Sequence, residues 1–532
     1  MLVGDYYRDV LVPANVAVSA IRRAGLPFSR SRLEAARTAF EKQLATLERE
    51  LEGFALSRGI TLKHSAAHSC NRAALLELLF SAGGLGLEPR GLTKTGAVSA
   101  DDDALAHYAS VAMPRDGDNE WVWRVLKIRS LAKGRSTYIE AFLRTLRADG
   151  CCHPKFNWAV VRTPRLSAEN PPVHQIPERA DPEVADTIKS CIIPRDHPAP
   201  HAEEWDPRRH GSCFRWDIVG AEAAVRAAML VHRFTSRSSL ALWEYIRAGE
   251  DVHGRTASLL YKVPEGTYGK GTRERDAVGK QTFFAKLFGG GWVAIQNTLW
   301  KRARVLVSRA EAEEFSAAFD AGTPELAELY EYDKDFLGRL GYCEDGYGRR
   351  RAISLPEGVR YLGMRGGKAT WQTPRWALRD KPMNQLLDHA FHVAANTPTQ
   401  GMNATDNLWM IALCYHGEYV KLRVPPMWEH RGVPFPEAAA WQLHDGDGPG
   451  GRPFRAWHMN TVHDSGWGDC GPGWLEPTAK LLFRRCYALP FDWRLEADVP
   501  YRVELKVGSD MGHLQPYNAA AKAFGMEPLP DW

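Results

Sequence analysis

Two short acidic motifs stand nearly half the chain apart, so a fold that uses them together must be assembled from discontinuous segments. Asp217 lies in Phe214-Arg215-Trp216-Asp217-Ile218-Val219-Gly220-Ala221-Glu222, and Asp464 closes Asn460-Thr461-Val462-His463-Asp464. Between them comes Lys280-Gln281-Thr282-Phe283-Phe284-Ala285-Lys286-Leu287-Phe288-Gly289. Two carboxylates able to hold a pair of divalent ions, with a lysine able to meet a triphosphate, describe phosphoryl transfer. With 532 residues the chain exceeds one compact core, and several subdomains are expected.

Composition narrows the class. The 44% hydrophobic and 25% charged residues are those of an ordinary globular protein. No apolar run approaches a membrane span, and the amino terminus lacks a signal-peptide pattern. Nine cysteines form no CxxC pair, and the adjacent Cys151 and Cys152 suit neither a zinc site nor an easy disulfide, which favours a reduced, cytoplasmic setting. The net charge of +4 says little about nucleic acid. From Trp121 to Arg147, however, Arg124, Lys127, Arg129, Lys133, Arg135, Arg144 and Arg147 face one acid, Glu140, a charge run able to neutralise phosphates.

Periodicity sketches the elements. Leu33, Ala36, Phe40, Leu44, Leu47 and Leu51 recur at helical steps, with Ser31 as cap and Glu34 completing a capping box. A second apolar helix runs from Ala73 to Phe80 and stops at Gly83-Gly84. Phe156 to Val161 reads as a strand, residues 223–390 as mainly helix, and Val499 to Gly508 as a half-buried strand. Residues 355–385 and 416–452 read as insertions.

The ordered motifs resemble the polymerase region of family A DNA polymerases. The resemblance extends beyond the two acidic motifs. Thr93-Lys94-Thr95-Gly96 is similar to the family's thumb loop, and Arg129 to Lys133 with Thr137-Tyr138 to its thumb helix. Arg165-Leu166-Ser167 through Asn170-Pro171 to Gln175-Ile176-Pro177 resembles the strand that follows the template-primer. Asp251-Val252-His253 is similar to the fingers motif that meets the triphosphate, Asn396 to Gly401 to a palm signature, and Val462-His463-Asp464 to the third catalytic motif.

The resemblance implies an α+β right hand: a helical thumb (1–150), a palm from 151–222 and 391–532 whose antiparallel sheet carries both aspartates, and helical fingers (223–390). It implies DNA synthesis on a primer-template from dNTPs with Mg²⁺, or Mn²⁺ in its place. Two ions would be held by Asp217, Asp464 and the Ile218 carbonyl. Lys280 and His253 would meet the triphosphate, Phe284 the sugar and Phe288 the templating base. Glu222 would crowd a ribose 2′-hydroxyl. Lys94, Arg165, Asn170, Gln175, Asn396, Gln400 and His463 would touch the duplex through sequence-independent contacts. No segment before Asp217 offers room for an exonuclease, so proofreading is expected from a separate protein, as is any processivity factor. A bacterial cell or a phage-infected host is the expected setting.

Three departures stand out. Asp276 occupies the place of an arginine four residues before Lys280, so either Arg275 takes over through a local helix adjustment or a phosphate contact is missing. Ser465 replaces a glutamate after Asp464, with Asp469 as a candidate substitute, and His392 stands where an arginine is common. His463-Asp464-Ser465 also resembles single-subunit RNA polymerases, so RNA synthesis or priming stays open, as does a silent DNA-binding relative. Glu222 and Phe284 argue against RNA synthesis.

Overall fold

The computed structural model describes residues 10–89, 98–110, 117–158, 160, 163, 165–176, 181–234, 240–374, 381–416, 429–430, 433–434, 456–462, 465–488 and 502–530. Lys94, His463, Asp464 and nearly all of the 416–452 insertion lie outside them.

Helix α1 (Val12–Ala24) is followed by the long α2 (Arg30–Ser57), which buries Leu33, Ala36, Phe40, Leu44 and Leu51 along one stripe. Its cap is Ser29 rather than Ser31: the Ser29 hydroxyl accepts the Arg32 N–H, because Ser29 is the last residue with extended backbone. Helix α3 (Asn119–Lys133) packs across α2. The charge run on α3 and the following turns is largely neutralised. Arg124 pairs with Glu50 and Glu120, Lys127 with Asp181 and Glu183, Arg129 with Asp102, and Arg135 with Glu41. The sequence count missed these acids because all but Glu120, which stands one residue before the run, come from other elements.

Strand β1 (Ser212–Val219) leads through Gly220 into α4 (Ala221–Arg233). Gly220 has φ 63°, the left-handed conformation that turns strand into helix at no steric cost. Helices α5 (Val252–Tyr261), α6 (Lys280–Leu287) and α7 (Pro324–Leu340) follow, so the expectation of helix over this stretch holds for most of it. Within it, beside a short hairpin of Tyr342–Glu344 and Arg350–Ala352, stands the hairpin of β2 (Arg360–Arg365) and β3 (Lys368–Gln372), in the segment read as an insertion. Helix α8 (Lys381–His416) runs 36 residues back to the sheet.

Strands β4 (Ala456–Val462), β5 (Ser465–Cys470), β6 (Arg502–Gly508) and β7 (Leu514–Pro516) join β1 in one antiparallel sheet, ordered β4-β5-β1-β6-β7. Phe214, Trp216 and Ile218 point from β1 into the core, while Arg215, Asp217 and Val219 alternate onto the other face. Gly466 and Gly468 sit opposite Trp216 and Phe214, and a Cβ on either would lie 2.4 or 2.1 Å from those rings. Glycine here lets β5 close over two large aromatics.

Candidate active site

Asp217 sits in the middle strand of the sheet. Its register partners are Ser465 on β5 and Glu504 on β6, so all three belong to one face. The Asp217 side chain is 33% exposed, and its carboxylate accepts an N–H from Arg215 at 3.1 Å. Glu504 is 47% exposed, with Lys506 at 3.9 Å. In the sequence Glu504 is only one residue of the half-buried strand read from Val499 to Gly508. The signal that could have singled it out, its place opposite Asp217, exists only once register is known.

Asp469 does not substitute for a carboxylate at Ser465. It pairs in register with Cys213, four residues along β1 from Asp217, which at ~3.3 Å per residue is about 13 Å away. It is fully buried, and Arg195 donates to it from its backbone N–H (2.9 Å), Nε (2.9 Å) and Nη2 (3.0 Å). Burial pushes its carboxyl up while the guanidinium opposes the shift. Asp469 is a structural ion pair.

Helix α6 presents Lys280, Phe284 and Phe288 as a half-exposed stripe, while Thr282, Phe283, Lys286 and Leu287 are buried on its other side. Spacing of four residues puts the three on one face. The helix adjustment considered for Arg275 is present. Residues Glu274–Gly279 form a π-turn, and the Lys280 N–H reaches the Arg275 carbonyl. In a π-turn residue i stacks over i+5, so Arg275 stands to Lys280 as a residue four back would in an α-helix. Its guanidinium holds both oxygens of Asp251 at 2.8 and 2.9 Å. Burial raises the Asp251 carboxyl, but the Arg275 bonds and the Gly254 N–H outweigh it and hold it below the usual carboxylate range. Asp251 in turn caps α5 by accepting the His253 N–H.

His253 lies against Phe283 and Phe284, with ring centroids 5.4 and 5.6 Å away. Burial, then the charges of Arg275 and Lys280, lower its pKa to about 4. It is a neutral imidazole at pH 7, able to donate one N–H. Glu222, in the first turn of α4, faces Arg165 at 3.8 Å, and both are about one-fifth exposed. Asn170 and Gln175 are exposed beyond Arg165.

On α8, His392, Asn396, Gln400, Asn403 and Asn407 repeat at helical steps and form one polar stripe. Its ends are fixed: His392 Nδ1 lies 3.1 Å from the Phe288 carbonyl, and Asn407 Nδ2 donates to Thr461 Oγ1 at 2.7 Å. The stripe therefore connects the end of α6 to β4. Asn403 and Asn407 were not among the sequence candidates, although their spacing from Gln400 was a signal. Ile218 buries its side chain, leaving only its backbone at this face.

The description "DNA polymerase family A" fits residues 30–206 and 226–422, well over half of the chain. The chain is 25% identical over 380 residues to a DNA polymerase of Escherichia phage T5, an alignment covering 68% of this chain and 41% of that protein. It is 28% identical over 367 residues to DNA polymerase I of Synechocystis sp., covering 68% and 32%. The chain thus spans about a third to two fifths of the length of these curated relatives. The POL domain of Pol1 from M. smegmatis, solved in complex with DNA primer-template and dNTP, superposes with a TM-score of 0.67 at 18% identity, covering 94% of this chain and 70% of that one. That likeness establishes the α+β fold. Among the described residues no helix is long and apolar enough to cross a membrane.

Proposed function

Because the chain belongs to DNA polymerase family A, we propose that it extends a primer 3′-hydroxyl with dNTPs on a DNA template, releasing pyrophosphate. One observation carries the reading: Ser465, covalently joined to Asp464, lies directly across the sheet from Asp217. Chain continuity thereby supports two carboxylates at one site.

The donor set fits a hard divalent cation. Asp217 offers a partly exposed carboxylate, Glu504 offers another opposite it, and no soft ligand stands in register with them. Asp217 and Asp464, with the Ile218 carbonyl, would hold the ions, and Glu504 would stand in for the carboxylate absent at Ser465. When bound, a pair of Mg²⁺ or Mn²⁺ ions supplies charge neutralisation for attacking and leaving oxygens.

The remaining roles fall to the chain's own groups. Lys280 meets the triphosphate and can protonate the leaving pyrophosphate, and neutral His253 donates to a phosphate oxygen without adding charge. Phe284 borders the sugar and Phe288 the templating base. Glu222, steadied by Arg165, crowds a 2′-hydroxyl and so selects deoxynucleotides. Lys94, Arg165, Asn170, Gln175, Asn396, Gln400 and His463 touch the duplex backbone and minor groove, leaving sequence to base pairing.

Primer extension tests it. The wild type should extend a primer with dNTPs far faster than with rNTPs, and Asp217→Ala should lose extension while still binding primer-template. Equal single-turnover rates in the two proteins, or efficient extension by rNTPs alone, would overturn the assignment.

A further inference from the structure

The hairpin β2–β3 is not used by the chemistry above. From Gly358 to Gln372 it carries Arg360, Arg365 and Lys368 and no acid. Its tip is the two-residue turn Gly366-Gly367, with φ 55° and 75°, which brings Arg365 and Lys368 opposite each other. Positive φ at both turn residues is what a tight right-twisted hairpin requires. A bulge interrupts the register between Tyr361 and Gly363, re-aiming the strand at Leu362. Leu362, at the bulge, is left 49% exposed between the cations Arg360 and Arg365 of its strand, whereas Met364, paired with Ala369, belongs to the face of Tyr361 and Trp371.

The other side of the hairpin is anchored. The Tyr361 and Trp371 rings meet at 5.0 Å, and Trp371 lies 5.0 Å from Phe391 of α8. The Tyr361 hydroxyl donates to Asp335 of α7, and Glu331 accepts the Ala369 N–H at 2.9 Å. Both acids also hold a cation, Arg339 and Lys334 respectively. Arg360, Arg365 and Lys368 have no ion-pair partner among the described residues, unlike most cations on α3 and the turns after it. The charge therefore faces away from the side packed on α7 and α8.

Position supplies the occupant. Phe391, which anchors Trp371, immediately precedes His392, which holds the Phe288 carbonyl. The hairpin thus shares its platform with the residue assigned to the templating base. We propose that β2–β3 binds the single-stranded template ahead of the nascent base pair. Arg360, Arg365 and Lys368 would contact phosphates, and Leu362 would lie against an unstacked base. The proposal rests on the polymerase reading above.

Fluorescence anisotropy with two primer-templates tests it, sharing one duplex but bearing a template overhang of a single nucleotide or of about 12. The wild type should bind the long overhang more tightly and with a steeper salt dependence. In Arg360→Gln/Arg365→Gln/Lys368→Gln that advantage should vanish. At about 0.7 per phosphate on a single strand, three lost contacts flatten the slope by about 2. Binding and single-nucleotide insertion on the short overhang should stay at wild-type level, which also shows that the variant is folded. Leu362→Ser should reduce the long-overhang advantage without changing the slope. A retained advantage in the triple variant, or equal loss on both substrates, would overturn the proposal and leave the polymerase reading standing. Failure of the wild type to bind or extend either substrate would sink both.

Discussion

Asp469→Ala separates a structural carboxylate from a metal-binding one. In the folded chain Asp469 is fully buried and takes three donors from Arg195, whose side chain is 19% exposed. Removing one partner of a buried pair strands the other charge, a change that costs about 3–5 kcal/mol. Arg195 keeps the Ala24 and Gly25 carbonyls and the Trp457 ring, which moves the expectation to the lower end, about 3 kcal/mol. Urea unfolding followed by tryptophan fluorescence suits the measurement, because Trp216, Trp457 and Trp467 all lie in the affected sheet. Mn²⁺ titration of the folded variant should match the wild type. Glu504→Gln is the converse: half-exposed, it should change stability by no more than about 0.5 kcal/mol while weakening Mn²⁺ binding roughly tenfold. Should Asp469→Ala unfold like the wild type and yet lose Mn²⁺ affinity, the assignment of both residues is wrong. Replacing both partners, Arg195→Met with Asp469→Leu, should restore most of the lost stability, since no stranded charge remains.

Three further outcomes are expected. Arg275→Ala should raise the dNTP KM roughly tenfold with a smaller change in kcat, as expected for one charge-assisted hydrogen bond; an unchanged KM would confine Arg275 to holding Asp251. Burial lowers His458 to about 4, where it accepts the Trp216 indole N–H. The unfolded chain takes up this proton near pH 6.5 and the folded chain does not, so stability is lost as pH falls from about 6.5 toward 4, by about 2 kcal/mol at pH 5. His458→Gln should flatten that part of the pH–stability curve, and an unaltered curve would exclude His458 as its source. Glu222→Ala should raise ribonucleotide incorporation roughly tenfold or more, read as the ratio of kcat/KM for rNTP and dNTP; a constant ratio would remove Glu222 from sugar selection.

Local chemistry was legible in the chain itself. The stripe Lys280, Phe284, Phe288 follows from helical period alone, and the alternation of Arg215, Asp217 and Val219 against Phe214, Trp216 and Ile218 follows from the pleat of a strand. The helical stretch after Asp217 was likewise readable because periodicity of that kind is written within a few residues. Charge balance was not. The run on α3 looked basic because its counter-ions, Glu50, Asp102, Asp181 and Glu183 among them, come from other parts of the chain.

Register is what the tertiary structure alone decided. A sheet pairs residues by their position across strands and not along them, so the sequence could name Asp469 as a neighbour of Asp464 yet not see that it lies about 13 Å along the sheet from Asp217. The same geometry brought Glu504, from a distant strand, opposite Asp217, and a π-turn brought Arg275 into phase with Lys280. Residue types and short spacings pointed to phosphoryl-transfer chemistry. Which carboxylate stands beside which was left to strand pairing, because no local pattern encodes a contact between segments hundreds of residues apart.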